Sequence, residues 1–379
     1  MLIGELGLSG EIRTVPGVLP GLLACRDEKR KAVIPSDNAR EAQLLEGQDI
    51  GLCQHLLELC RYLKGEIKLP RPEKILPRQT RTEHNLDDVI GQEHAQRALL
   101  IAAAGGHNLL ISGPPGTGKT MLANRLPSIL PGLDVNEALE VAAIRSFAGH
   151  TAGDADYFEV PFRAPHHTAS AVALVGGGKQ INAGEISLAH RGVLLLDELP
   201  EFNSRVLEVL REPIESGSIL ISRASYQTRL PACFQLIAAM NPCPCGHHGD
   251  RQRDCRCSPD RIRQYQQRIS GPLLDRIDIQ IELQALSKQE RRRLLGCPDT
   301  ATKSHQLREQ VCKARRIQQQ RAGKLNAQLG QRDLLRDCAL DQQGKHVLEQ
   351  AMERLRLSTR AYFRILKVAR TIADLADGD

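Results

Sequence analysis

The sequence predicts an α/β fold built on a parallel sheet, and three apolar runs of strand length predict it. Leu109-Leu110-Ile111-Ser112 enters the glycine-rich stretch Gly113-Pro114-Pro115-Gly116-Thr117-Gly118, after which Lys119-Thr120 opens a helical pattern through Met121, Leu122, Leu126 and Ile129. Gly192-Val193-Leu194-Leu195-Leu196 ends on two carboxylates, Asp197-Glu198, and Phe234-Gln235-Leu236-Ile237-Ala238-Ala239-Met240 ends on the amide Asn241. Runs that are apolar at nearly every position read as strands buried on both faces, as in parallel sheets.

Residues 1–70 come first, with Gly4, Gly7, Gly10, Gly17 and Gly21 between short apolar runs and a helical pattern over Leu52–Leu63. They read as a few strands and two helices. The stretches Gly4-Glu5-Leu6-Gly7-Leu8-Ser9-Gly10-Glu11-Ile12-Arg13 and Ile34-Pro35-Ser36-Asp37-Asn38-Ala39-Arg40-Glu41-Ala42 resemble the C-terminal half of the Lon-protease-like domain, an S5 domain 2-like fold. That resemblance would put the protease's lysine near Pro20-Gly21, where none stands, so peptidase activity is not expected. Residues 71–84, with Pro72 and Pro77 among charges, read as a linker. Asn85-Leu86-Asp87-Asp88-Val89-Ile90-Gly91-Gln92 then precedes a helix over His94–Ala104.

Gly113 to Thr120 is the Walker A order. Glycines let backbone N–H groups close on phosphates, Lys119 reaches the β and γ oxygens, and the Thr120 hydroxyl ligates Mg²⁺. The phosphates of ATP also sit at a helix N-terminus, where unpaired donors favour an anion. Asp197-Glu198, 77 residues after Thr120, is the Walker B order. Asp197 can hold the Mg²⁺ shell while Glu198 orients and deprotonates the attacking water. The reading expects the glycine cradle and the carboxylate pair side by side at the ends of adjacent strands.

Between these motifs His166-His167 reads either as a metal pair or as a structural loop, and no further ligand stands at a suitable spacing. Gly176-Gly177-Gly178 marks a hairpin tip on which Lys179 could touch a phosphate backbone. Ile219 to Leu230 alternates like a hairpin and fits either an inserted pore hairpin or a solvated edge. Asn241 stands where a γ-phosphate sensor would. Within Leu273-Leu274-Asp275-Arg276-Ile277-Asp278, Arg276 reads either as an arginine finger or as a local partner of Asp275 or Asp278.

Cys243-Pro244-Cys245 and Cys255-Arg256-Cys257 bring four thiols into one short loop with Arg251, Arg253, Arg256, Arg261 and Arg263. Such a set closes a tetrahedral Zn²⁺ site, with His247 or His248 as substitute ligands, or remains as reduced thiols. A metal-pinned basic loop suits DNA contact.

In this order the blocks resemble the magnesium-chelatase-like AAA+ ATPases of the YifB/ComM type over nearly the whole chain. The resemblance implies an AAA+ P-loop NTPase core with two inserts, a helical C-terminal lid and a homo-hexameric ring. Ser358-Thr359-Arg360-Ala361, before Arg364 to Leu375, matches the lid helix and makes Arg360 the second sensor. Asn85–Gln92 would then lie over the adenine. ATP would sit between subunits, with Lys119, Thr120, Asp197, Glu198 and Asn241 from one and Arg276 and Arg360 from the next. The expected units are 1–70, the linker 71–84, the core 85–285 and the lid 286–379. Branch migration of DNA in natural transformation or recombination is the implied activity. The alternatives are the motor subunit of a metal chelatase, or an inactive remnant, since against the family pattern the chain starts inside the Lon-like segment and stops at Asp379 before a final helix.

Composition bounds these readings. Of 379 residues, 51 are Lys or Arg and 45 Asp or Glu, for a net charge of +6. From Ser287 onward 20 basic residues face 11 acidic ones, so the basic excess is concentrated there. It suits nucleic acid or a solvated helical surface. No apolar run reaches the roughly 18 residues of a membrane span. Met1-Leu2-Ile3 does not open a signal peptide, and the expected site is the cytoplasm, where 11 cysteines argue against a disulfide framework.

Overall fold

The computed structural model describes residues 1–45, 47–73, 85–89, 91–150, 157–177, 182–223, 226–250, 252–285 and 303–376. Gly178, Lys179, Arg251, most of the expected linker and the start of the expected lid lie outside the described residues.

The N-terminal segment forms β1 (Glu5–Leu6) antiparallel to β2 (Ile12–Arg13), then α1 (Val18–Asp27), then β3 (Ala32–Pro35) parallel to β4 (Ile50–Cys53), and α2 (Leu56–Leu63). The helical pattern expected from Leu52 begins instead at Leu56. Leu52 and Cys53 pair with β3 in the sheet, and the His55 side chain caps the helix by accepting from the Leu57 amide at 3.1 Å.

The main sheet follows. Helix α3 (Glu93–Gly105) leads to β5 (Leu109–Ser112), and α4 (Lys119–Ile129) and α5 (Val135–Phe147) lead to β6 (Phe162–Arg163) and β7 (Val193–Leu196). After α6 (Ser204–Val209) and α7 (Arg211–Ser216), the hairpin of β8 (Ser218–Arg223) and β9 (Tyr226–Pro231) precedes β10 (Gln235–Met240). Helix α8 (Pro259–Gln266) and β11 (Ile279–Glu282) complete the core. All strand pairs of the sheet are parallel, in the order β11-β5-β10-β7-β6.

That order corrects one expectation. β10 lies between β5, which feeds the glycine loop, and β7, which ends on the carboxylates. Strand order follows the crossovers, and chain proximity does not reveal it. The carboxyl ends stay close because Ser112 pairs with Met240 and Leu196 with Ala238.

Alternate residues feed two cores, as strand periodicity requires. Leu109, Ile111, Val193, Leu195 and Ile237 face α3 and α4 with Val311 and Ala314. Leu110, Leu194, Leu196, Leu236 and Ala238 face Phe202, Leu207, Tyr265 and Leu273 on the other side. A third core joins the N-terminal segment to α5 and the stretch after it: Val18, Leu19, Leu22 and Ile34 pack with Leu139, Ala142 and Phe158. Buried Glu41 reinforces this seam through Ser146 Oγ and the Leu19 amide.

The C-terminal helices are α9 (Lys303–Ala322), α10 (Gln331–Asp337), α11 (Gln342–Leu355) and α12 (Thr359–Leu375). They share a small core of Leu329, Leu334, Leu348 and Leu366. Polar contacts fasten them to the sheet domain: Arg315 donates to Ala103 O at 2.9 Å and His107 Nε2 meets Thr371 Oγ1 at 2.8 Å. Among the described residues, no helix is long and apolar enough to cross a membrane.

Candidate active site

The loop after β5 folds as its glycines dictate. Gly116 and Gly118 take positive φ of 77° and 86°, a region that costs other residues sterically, and Gly118 opens α4. A Cβ on Gly113 would stand 2.6 Å from Leu283 O, so the loop can pass β11 only with glycine there. Thr117 Oγ1 closes the turn by donating to Pro114 O at 2.8 Å.

Lys119 is 9% exposed, and its ammonium donates to Gly113 O at 2.8 Å, Pro114 O at 2.9 Å and Asn241 Oδ1 at 3.0 Å. Burial pushes its pKa down, against the pull of Asp197 and Glu198. The expected sensor amide therefore shares the cation of the expected phosphate loop. Thr120 Oγ1 donates to Asp197 Oδ2 at 2.6 Å, across 77 residues of chain. A hydroxyl and a carboxylate facing each other at a helix start form an oxygen pair that fits Mg²⁺, a hard cation that takes few protein ligands.

Glu198 adopts φ 53° and ψ 46°, a left-handed conformation uncommon for a non-glycine residue. Its amide donates to Asp197 Oδ1 at 2.9 Å, which turns the two carboxylates apart. Oε2 of Glu198 lies 3.1 Å from His167 Nδ1. His167 in turn stacks on His166, with centroids 4.1 Å apart, and meets the Phe202 ring edge-on. Neither histidine belongs to a metal-sized cluster among the described residues. Of the two sequence readings, metal pair or structural loop, neither anticipated a contact to Glu198. The signal available was only that the pair sits just after a strand, β6, of the same sheet.

Arg276 and Arg360 come together, but not at their own glycine loop. Arg276 Nη2 lies 2.8 Å from Glu215 Oε2, and Arg360 pairs with the other oxygen of the same carboxylate. Arg276 also donates to Pro272 O at 2.6 Å. The pairing with Asp275 or Asp278 weighed from sequence is replaced by Glu215, 61 residues upstream. Asp278 instead accepts from the Asn108 amide at 3.2 Å. Arg364 holds the Arg276 turn by donating to Ile277 O at 2.8 Å.

Gln92, His94, Ile281 and Gln284 line a cleft beside Leu283, the residue that touches Gly113. Arg125 Nε donates to Asn85 O at 2.9 Å and anchors the segment that the resemblance places over the adenine.

The four loop thiols converge: Cys243 Sγ lies 3.4 Å from Cys245 Sγ and 3.7 Å from Cys255 Sγ, and all four sulfurs lie within 4.8 Å of one another. Zn–S bonds of about 2.3 Å in a tetrahedron place sulfurs about 3.8 Å apart, so the set has the size of a thiolate zinc site. Backbone amides of His247 and Arg256 donate to Cys245 and hold its thiol down at about 6. His247 is engaged elsewhere, 3.0 Å from Asp250. Arg253, Arg256, Arg261 and Arg263 are exposed around this loop, as is Arg229 on β9.

The C-terminal basic excess is less available than its count suggests. Arg315 is half-buried with its guanidinium donating to Ala103 O, desolvation pushing its pKa down to about 10, Arg321 is paired with Asp374, and Lys367 Nζ donates to Ala327 O.

Two stretches of the chain match a known family. Residues 85–291 match the family described as magnesium chelatase, subunit ChlI, and residues 301–379 match the C-terminal part of the same subunit. The chain is 48% identical to the competence protein ComM of Haemophilus influenzae over 98% of its length and 73% of that protein. It is 45% identical to the YifB protein of Escherichia coli over 100% of its length and 74% of that protein. The DNA replication licensing factor Mcm2 of Drosophila melanogaster is 26% identical over 65% of the chain and 24% of that protein.

Proposed function

This chain belongs to the magnesium-chelatase-like AAA+ ATPases of the YifB/ComM type, and from that premise we propose that it hydrolyses ATP in a homo-hexameric ring that moves DNA, as a branch-migration motor. The observation that carries the catalytic half is the 2.6 Å contact of Thr120 with Asp197, beside Lys119 and Asn241.

In this reading Gly113, Pro114, Pro115, Gly116, Thr117 and Gly118 wrap the triphosphate, and Lys119 exchanges the loop carbonyls for β and γ oxygens. Thr120 and Asp197 would hold Mg²⁺, which when bound offsets charge on the phosphates and fixes their orientation. Glu198 takes a proton from the attacking water at its carboxylate. His167 positions that carboxylate. Asn241 orients the water or the γ-phosphate while staying in contact with Lys119. Arg276 and Arg360 reach a neighbouring subunit's site: both are gathered on Glu215, and among the described residues their polar contacts include none with residues 113–120. An arginine supplied in trans is worth on the order of 10³–10⁵ in rate where it has been measured in GTPases.

Support for DNA is chemical and comparative. Exposed arginines cluster on the four-thiol loop, on α8 and at Arg229 of the hairpin. ComM is named as a competence protein and Mcm2 as a DNA replication licensing factor. The thiol geometry supports Zn²⁺ as a second, structural ion. Binding to forked DNA, titrated with salt, tests the reading: phosphate contacts predict a steep loss of affinity with rising salt, shallower by about one unit of slope for each arginine removed. Absence of binding at low salt, with ATP hydrolysis intact, overturns the DNA half and favours a chelatase-type motor.

A further inference from the structure

We propose that the four-thiol loop is a metal-dependent brace of the nucleotide site: Zn²⁺ on Cys243, Cys245, Cys255 and Cys257 fixes the loop against Pro115 and sets the position of Asn241, so nucleotide affinity depends on the metal. The functional half of this inference rests on the ATPase reading above; the metal half does not.

Two contacts connect the loop to the site. Gly246 lies against the crest of the glycine-rich loop, where a Cβ added to it would stand 2.6 Å from Pro115 Cδ. Its φ of 82° is in the left-handed region, so glycine serves there both for backbone and for clearance. Asn241, the last polar residue before the thiols, shares the Lys119 ammonium at 3.0 Å. Both contacts come within five residues of Cys243 or closer, on a segment that starts at the carboxyl end of β10.

The described part of the loop is largely polar and open to solvent: Cys243 and Gly246 are buried, while Gln252, Arg253, Asp254, Arg256 and Ser258 are exposed. A polar, exposed loop cannot offset its own ordering entropy by burial, whereas a metal bond network can. Other ties among the described residues are local: Gly246 N donates to Cys243 O at 2.9 Å, His248 N to Cys243 Sγ at 3.3 Å, Gln252 N to Asp250 Oδ1 at 2.9 Å and Gln266 Nε2 to Pro242 O at 3.1 Å, and His247 lies 3.0 Å from Asp250. Amides aimed at sulfur are the hydrogen bonds a thiolate ligand uses, so the loop is already shaped for a soft, tetrahedral cation.

The test uses the full chain, purified reduced from zinc-replete cells. Elemental analysis should find one Zn²⁺ per chain, and Co²⁺ exchanged into the site should show thiolate-to-metal charge transfer. Removing zinc with a zinc-selective chelator should weaken binding of a fluorescent ATP analogue, in constant Mg²⁺, by on the order of tenfold or more, and added Zn²⁺ should restore it. Gly246→Ala keeps all four thiols; it should keep the zinc and still weaken nucleotide binding. Exposed Cys60→Ser should change neither readout. Circular dichroism of each form separates a loosened site from an unfolded chain. Absent zinc or a cobalt spectrum without charge transfer overturns the metal assignment. Full zinc on the chain as purified, with nucleotide affinity unchanged both by stripping the metal and by Gly246→Ala, overturns the brace. Full zinc on a chain that binds no nucleotide at all overturns the ATPase reading, while the stoichiometry still supports the metal site.

Discussion

At the scale of single residues, neighbours in the proposed site carry separable tasks. With Lys119 proposed to hold the phosphates, Lys119→Ala should abolish detectable nucleotide binding in an equilibrium titration. With Glu198 proposed as the base, Glu198→Gln should bind ATP at near wild-type affinity while turnover falls by about 10²–10⁴. Loss of affinity in Glu198→Gln equal to that of Lys119→Ala would remove the division of labour. His167 touches the same carboxylate at 3.1 Å. His167→Ala should lower kcat by roughly tenfold to a hundredfold, with KM for ATP little changed, because a misplaced base slows chemistry without touching the phosphates. Lys119, Thr120 and Asp197 were legible in the sequence because backbone needs, a strand before and a helix after, restrict their surroundings. His167 and Glu215 were not. Each meets its partner across the fold, and no spacing rule connects residue 167 to 198 or 215 to both 276 and 360.

Among elements, α12 docks through buried charge. Asp374, 2% exposed, accepts from Arg321 at 2.7 Å and from Asn326 at 2.8 Å. Burial works to raise its pKa, and the hydrogen bonds from Arg321 and Asn326 win and lower it. A carboxyl with a depressed folded pKa stabilises fully above the unfolded value, about 3.9, and loses that contribution as pH falls through the folded value. Asp374→Asn should therefore cost stability at pH 7, by about 3–5 kcal/mol as for one partner of a buried pair, and the gap in melting temperature should narrow as pH falls from the unfolded value of about 3.9 through the lowered folded one. A gap independent of pH would show that shape, and not charge, seats this helix. The helix itself was visible through the lid resemblance. Its anchor was not, since Arg321 and Asp374 carry no motif and simply inflate the count of charges in the basic third.

For the molecule as a whole, the strands were readable and their order was not. Apolar runs announced β5, β7 and β10, but that β10 separates the other two follows from crossovers between distant segments. The N-terminal segment likewise read as a unit of its own, whereas its core continues into α5 through Leu139 and Ala142 and on to Phe158 beyond that helix. Removing residues 1–70 is thus expected to expose that apolar surface and lower the apparent melting temperature. An unchanged melt in the truncated chain would show that the seam contributes nothing. In the proposed ring, Arg276 and Arg360, held together on Glu215, are the groups offered to a neighbouring subunit.

The most direct test of a nucleotide site completed between subunits is the ATPase rate of mixed chains, one carrying Lys119→Ala and the other Arg276→Ala. Each variant by itself should be nearly inactive. A mixture should regain activity, since Lys119→Ala subunits still present Arg276 to the intact glycine loops of their Arg276→Ala neighbours. A mixture that stays inactive under conditions where the wild-type chain turns over, or an Arg276→Ala chain as active as wild type, would contradict the account.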